Sequence, residues 1–133
     1  MCGLCGFINK ANKKEKDIII KEMASKIIHR GPDSEGIYSD NDIAIAFRRL
    51  SIIDLAGGSQ PIYNEDKSKL IFFNGEIYNY QKLRKELEEK KHKFTTNTDT
   101  EVILHGFEEY GESVVDQLRG MFAFVIWDLK TKE

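Results

Sequence analysis

Met1-Cys2-Gly3-Leu4-Cys5-Gly6-Phe7-Ile8 opens the chain and decides how the rest of it is read. The small side chain of Cys2 makes Met1 a good target for removal by methionine aminopeptidase. Removal leaves a thiol and a free α-amine on one residue, so the nucleophile carries its own proton acceptor. The apolar run that follows reads as a short strand. Cys2 and Cys5 form a C-x-x-C, a spacing shared by redox pairs and half zinc sites. A zinc site needs about four ligands, and no second C-x-x-C or H-x-x-x-H follows. A thioredoxin-type pair opens a helix, whereas this one lies in a strand. No metal site is expected, and Cys5 reads as a small buried filler.

Outward from this strand, Ile20, Met23, Ala24, Ile27 and Ile28 recur at helical spacing and predict one apolar helix face. His29 to Gly36 is expected to end that helix, with Gly31 and Pro32 stopping it and two glycines bracketing a polar loop. Ile43, Ile45 and Phe47 alternate with Ala44 and Ala46, which predicts a strand covered on both faces. Leu50 to Leu55 continues extended, and Ala56 to Pro61 is a turn-rich loop. Leu70 to Phe73 is a further apolar strand that runs into Asn74-Gly75, a strong tight-turn signal. Leu83 and Leu87 mark a surface helix over 80–90. Thr98 and Glu101 predict a capping box, with Asp99 in the first turn of a helix. Val102, Ile103, Phe107 and Tyr110 would be its buried face and Gly111 its end. A shorter helix is expected around Val114, Val115 and Leu118, then a long apolar strand over 121–129.

These elements predict an α+β layered domain. With 133 residues, 41% of them hydrophobic, the chain suffices for a single globular domain over 1–133. The formal net charge is −2, which favours neither nucleic acid nor an anionic membrane as partner. No apolar run approaches ~18 residues, so no spanning helix is expected. Lys10, Lys13 and Lys14 stand where a signal peptide would be apolar, and a cytoplasmic protein is expected. The last apolar strand is followed by Lys130 to Glu133, which open a turn from which nothing returns. An N-terminal piece of a longer protein, lacking the C-terminal strands of its domain, is therefore expected. A homodimer or a swapped strand would cover the open edge.

Three further features bear on chemistry. Arg48 and Arg49 end a buried strand, Asn74-Gly75-Glu76 follows another, and Asp99 comes later. A thiol attacking a carbonyl needs donors for the developing oxyanion. Asn74 offers a side-chain amide and Gly75 an unobstructed backbone N–H. An amino-acid substrate needs a cation for its carboxylate and an anion for its ammonium, roles that fit Arg49 and Asp99. His29, His92 and His105 are not assigned as a base. Tyr78 and Tyr80 read as packing residues.

Met1-Cys2-Gly3, His29-Arg30-Gly31-Pro32-Asp33, Arg49-Leu50-Ser51-Ile52-Ile53-Asp54, Gly57-Gly58-x-Gln60-Pro61, Asn74 to Asn79 and Gly120-Met121-Phe122-Ala123-Phe124 together resemble the class II glutamine amidotransferase domain. Their wording is similar to that of the glutamine-dependent asparagine synthetases. Pro32 stands where the sugar-phosphate branch of the superfamily has Tyr. The resemblance implies a four-layer α-β-β-α N-terminal nucleophile hydrolase sandwich. It also implies Cys2 as nucleophile and Asn74 with Gly75 as oxyanion hole. Arg49 would hold the glutamine α-carboxylate, helped by backbone groups of Leu50, Ser51, Ile52 and Ile53. Glu76 and Asp99 would hold the α-ammonium. The implied reaction releases ammonia from L-glutamine through a cysteinyl thioester. A C-terminal synthetase domain would then use ATP and Mg to amidate aspartate, while this domain itself needs no cofactor. Two departures stand out: Phe47-Arg48 precedes Arg49, so Arg48 competes for the anchoring role, and Cys5 replaces a larger apolar residue. The alternatives are the amidotransferase domain of a related amide-forming ATP enzyme, or an inactive truncated module.

Overall fold

The computed structural model describes residues 2–10, 12–50 and 59–133. The extended stretch expected after Leu50 and most of the loop before Pro61 fall outside the described residues. The chain divides into two compact units, Met1–Pro61 and Ile62–Thr131, with Lys132 grouped with the first and Glu133 with the second. Among the described residues each unit contains one three-stranded antiparallel sheet, with α-helix packed on it, one helix in the first unit and several in the second, which makes the fold α+β. Among the described residues no helix is long and apolar enough to cross a membrane.

The first unit comprises β1 (Gly3–Ile8), α1 (Lys13–Lys26), β2 (Ser34–Ser39) and β3 (Ile43–Arg49), with strand order β1-β3-β2. β3 is central and buried from Ile43 to Arg48, as its two-sided apolar pattern predicts. Ala44 and Ala46 form a shallow surface that lets Ile20 and Ala24 of α1 pack closely, with Cys5, Phe7, Met23 and Ile37 around them. Asn12 caps α1 by accepting the Glu15 N–H at 3.1 Å. The helix stops at Lys26, two residues earlier than the apolar spacing implies. Ile28 is consequently 51% exposed, outside the core.

Two findings here depart from expectation. Residues 34–36, read as the end of a polar loop, begin β2, because their backbone groups pair with Phe47, Arg48 and Arg49. Lys16 is fully buried. Its Nζ reaches the Asn41 carbonyl at 2.5 Å and joins α1 to the β2–β3 turn.

The second unit comprises β4 (Ile62–Tyr63), β5 (Lys69–Ile77), α2 (Tyr80–Glu89), α3 (Thr100–Tyr110), a single 3-10 turn (Gly111–Ser113), α4 (Val114–Gln117) and β6 (Gly120–Asp128), with strand order β4-β5-β6. Ile71, Phe73 and Ile77 meet Leu83, Leu87, Val102, Ile103, Leu104, Val114 and Leu118 in its core. Each such side chain contributes about 1.5–3 kcal/mol by leaving water. Gly111 ends α3 at φ +61°, a conformation that glycine adopts freely.

Three expectations are corrected in this unit. Asn74-Gly75 is not a turn but lies inside β5, because β6 pairs with it through the register Asn74↔Ala123 and Gly75↔Phe122. The capping box does not form. Glu101 instead turns its carboxylate back onto Thr95 and Thr96, accepting both backbone N–H groups and both hydroxyls at 2.6–3.0 Å. Finally, β6 is apolar but largely half-exposed, with only Trp127 buried. It is the outermost strand of its sheet among the described residues.

Candidate active site

In the first unit, the pairing Gly3↔Arg48 lays the N-terminal segment along the end of the central strand. This brings the half-buried Cys2 to Leu50. Cys2 Sγ lies 3.5 Å from the Leu50 backbone nitrogen and 4.0 Å from its carbonyl oxygen. Arg30 Nε donates to the Cys2 carbonyl at 3.2 Å and fixes the residue from the other side. A Cβ on Gly3 would stand 3.1 Å from both Arg30 Cβ and Ile27 Cδ1, so any side chain after the thiol requires these two neighbours to shift slightly.

The two adjacent arginines have different surroundings. Arg48 is buried; its Nε donates to the Gly31 carbonyl at 2.8 Å and its Nη1 pairs with Glu35 Oε2 at 3.0 Å. Arg49 is half-buried at the end of β3, and its carbonyl accepts the Asp33 N–H at 3.0 Å. Gly31 lies directly on the peptide between them. A Cβ there would be 2.3 Å from the Arg48 carbonyl carbon and 2.4 Å from the Arg49 nitrogen. The sequence analysis took Gly31 for a helix stop, whereas the structure shows a close backbone approach that only glycine permits.

Both cysteines are free thiols. Burial, and then the charge of Glu35, push the Cys5 thiol above its ordinary pKa and keep it protonated. Cys5 sits opposite Ala46 and packs beside α1, a filler's position. Ser51, Ile52 and Ile53, like Met1, lie outside the described residues.

The second unit brings together Asn74, Gly75, Glu76 and Asp99. Asn74 is half-buried, and Gly75 and Glu76 are exposed at the last turn of the β5 ladder. Gly75 has φ +152°, and a Cβ on it would meet the Met121 carbonyl at 2.1 Å. Only glycine lets β6 approach this part of β5. Asp99, at the start of α3, does not cap its own helix. Its Oδ2 accepts the Ile77 N–H at 2.8 Å, which ties the helix to the end of β5. Burial raises the Asp99 pKa, the Ile77 N–H pulls it down, and the neighbouring Glu76 charge raises it again; the net direction is upward.

Asn79 carries weight that the sequence analysis did not assign. Its Nδ2 donates to the Gln117 carbonyl and its Oδ1 accepts the Arg119 N–H, both at 2.9 Å, so it clasps the start of β6. Its place at the end of the Asn74 to Asn79 motif was the available signal. Arg30, inside the His29 to Asp33 motif, was missed in the same way. Of the histidines, His29 is exposed, and His92 and His105 pair with Glu108 and Glu109 in the second unit.

The profile of the glutamine amidotransferase domain matches residues 1–133. Over 131 residues the chain is 50% identical to glutamine-hydrolyzing asparagine synthetase 1 of Bacillus subtilis strain 168, covering 96% of this chain and 21% of that protein. It is 44% identical over 131 residues to glutamine-hydrolyzing asparagine synthetase 1 of Arabidopsis thaliana, covering 98% and 22%. The chain thus spans about a fifth of the length of the curated relatives it matches. Among solved structures, the glutamine phosphoribosylpyrophosphate amidotransferase of B. subtilis, complexed with ADP and GMP, superposes with a TM-score of 0.54 at 22% identity, over 65% of this chain and 21% of that one. That likeness concerns the fold alone. With its whole length matched by the domain profile, the chain belongs to the glutamine amidotransferase domain family.

Proposed function

We propose that this chain is the N-terminal glutaminase part of a glutamine-hydrolysing asparagine synthetase of the cytoplasm, with Cys2 as nucleophile. The observation that carries the reading is the 50% identity to such a synthetase across 131 residues. In the proposed reaction, removal of Met1 frees the Cys2 α-amine. The amine takes the thiol proton as sulfur attacks the side-chain amide carbon of glutamine. Asn74 Nδ2 and the Gly75 N–H hold the resulting oxyanion. Collapse breaks the C–N bond, the protonated α-amine returns its proton to the leaving nitrogen, and ammonia departs. Water then hydrolyses the γ-glutamyl thioester to glutamate and restores the thiol.

Arg49 takes the substrate α-carboxylate in a two-pronged fork. Arg48 has the Gly31 carbonyl and the Glu35 carboxylate as partners. Leu50 to Ile53 assist with backbone groups. Glu76 and Asp99 take the α-ammonium, and their closeness in the second unit supports the pairing. No cofactor enters this half of the reaction. In the longer protein a C-terminal synthetase domain would use ATP and Mg with the released ammonia to convert aspartate to asparagine. A homodimer is part of the same reading.

Intact mass of the purified chain, followed by treatment with the glutamine analogue diazo-oxo-norleucine, tests it. The expected result is a mass lacking methionine and a single adduct on Cys2 that excess glutamine blocks. A processed chain that stays unlabelled, or labelling that glutamine does not suppress, would overturn the glutaminase assignment.

A further inference from the structure

Away from the residues assigned to glutamine, Glu65, His92 and His105 converge in the second unit. They come from the β4–β5 turn, the segment after α2 and the middle of α3. One potential donor atom from each lies within 4.8 Å of the other two. His105 is 1% exposed and His92 half-buried, while Glu65 reaches solvent. Glu108 stands beside them. Its Oε2 is 3.0 Å from His105 Nδ1 and 3.4 Å from His92 Nδ1, so two imidazole nitrogens face one carboxylate oxygen. Each ring nitrogen that faces this oxygen has to carry a proton or a metal ion, because a bare lone pair would repel the carboxylate. From this geometry we infer that Glu65, His92 and His105, with Glu108 adjoining, form a binding site for a divalent transition-metal ion of the zinc type.

The donor chemistry fits. Imidazole and carboxylate ligands suit zinc, and zinc bonds of 2.0–2.2 Å place donors about 3.3 Å apart, within reach of small rotations from the observed separations. Glu65 is exposed, and its Oε1 accepts the backbone N–H of Lys93, the residue after His92, which holds the carboxylate on the side of the rings. Glu101 and Glu109 add negative charge nearby. Glu101 Oε1 is 3.8 Å from His105 Nε2, an ion-pair rather than a hydrogen-bond distance, and Glu109 Oε2 is 3.1 Å from His92 Nε2. These carboxylates orient the rings and raise their basicity, as outer ligand partners do in metal sites. The three ligating segments are far apart in sequence, so no short motif announces the site. An ion there would clamp the β4–β5 turn to α3.

Metal-free chain with both thiols alkylated, titrated with zinc by calorimetry and with cobalt by visible spectroscopy, tests the site. The expected results are binding of a single zinc ion, and tetrahedral cobalt bands without a thiolate charge-transfer band. His92→Ala and Glu65→Gln should each weaken zinc binding by at least about tenfold. Both positions contact solvent, and far-UV circular dichroism verifies that the variants fold. Absence of zinc binding, a hydrated octahedral cobalt spectrum in the unaltered chain, or affinity unchanged in both variants would overturn the inference.

Discussion

β3 and β6 are both strongly apolar strands, yet only β3 is buried along its length. β3 has a strand on either side and α1 across its alanine face, whereas β6 pairs with β5 alone among the described residues. The difference teaches that an apolar run reports a capacity for burial, and that the neighbours decide whether it is used. It extends to the two units as wholes. The first makes a close backbone contact over a buried strand, and the second leans on two carboxylates, the half-buried Asp99 and the buried Glu101.

The largest effect should come from breaking the contact over β3. Gly31→Val places carbon atoms on the Arg48–Arg49 peptide, where even a Cβ comes within 2.4 Å. We expect a loss of more than about 4 kcal/mol or failure to fold, read by denaturant unfolding. If this variant unfolds at the same denaturant concentration as the unaltered chain, the close approach is not what holds the first unit.

A matched pair of truncations sharpens the contrast between the strands. Ile45→Ala removes a side chain that is 1% exposed and should cost about 2–5 kcal/mol. Met121→Ala, at 66% exposure, should stay within about 0.5 kcal/mol. Similar losses for both would show that β6 is covered in solution.

The third effect is acid-dependent and belongs to the second unit. Burial alone would raise the Glu101 pKa, but His105 and the donors of Thr95 and Thr96 bring it from 4.5 to about 2. A depressed folded-state pKa means stability that is present above pH 4.5 and lost as pH falls toward about 2. Asp128, held at about 2 mainly by Lys69, acts in the same sense, while Asp99, with its raised pKa, acts oppositely. Glu101→Gln should therefore cost about 2–3 kcal/mol near neutral pH and flatten the acid limb of the stability curve. An unaltered acid limb in this variant would mean that the second unit is not held through this carboxylate.

Where the sequence was legible, periodicity met a matching environment. Ile43 to Phe47, Leu83 with Leu87, and Val102 with Ile103 are buried as their spacing implies. The misreadings share a cause, namely pairing with a distant segment. Ser34 to Gly36 look like loop until β3 supplies their ladder, and Asn74-Gly75 looks like a turn until β6 runs beside it. Glu101 reads as a cap until Thr95 and Thr96 offer it more donors than its own helix does. The family was readable for a different reason, because an ordered set of motifs identifies it even where single residues are ambiguous. Arg30 and Asn79 lay inside those motifs, yet their roles depend on contacts with Cys2, Gln117 and Arg119 that spacing alone does not reveal.

The bond from Asp99 to Ile77 has a mechanical consequence. From Asp99 the chain runs through α3 and α4 to Gln117, which Asn79 grips, and Asn79 follows Ile77 by two residues. The path closes on itself, a ring of covalent chain and hydrogen bonds around the end of β5. Strand ends ordinarily fray, because the last ladder bonds are the least supported. Here the terminus is trussed, so a pull on either helix is shared around the loop instead of peeling Gly75 and Glu76 away from β6.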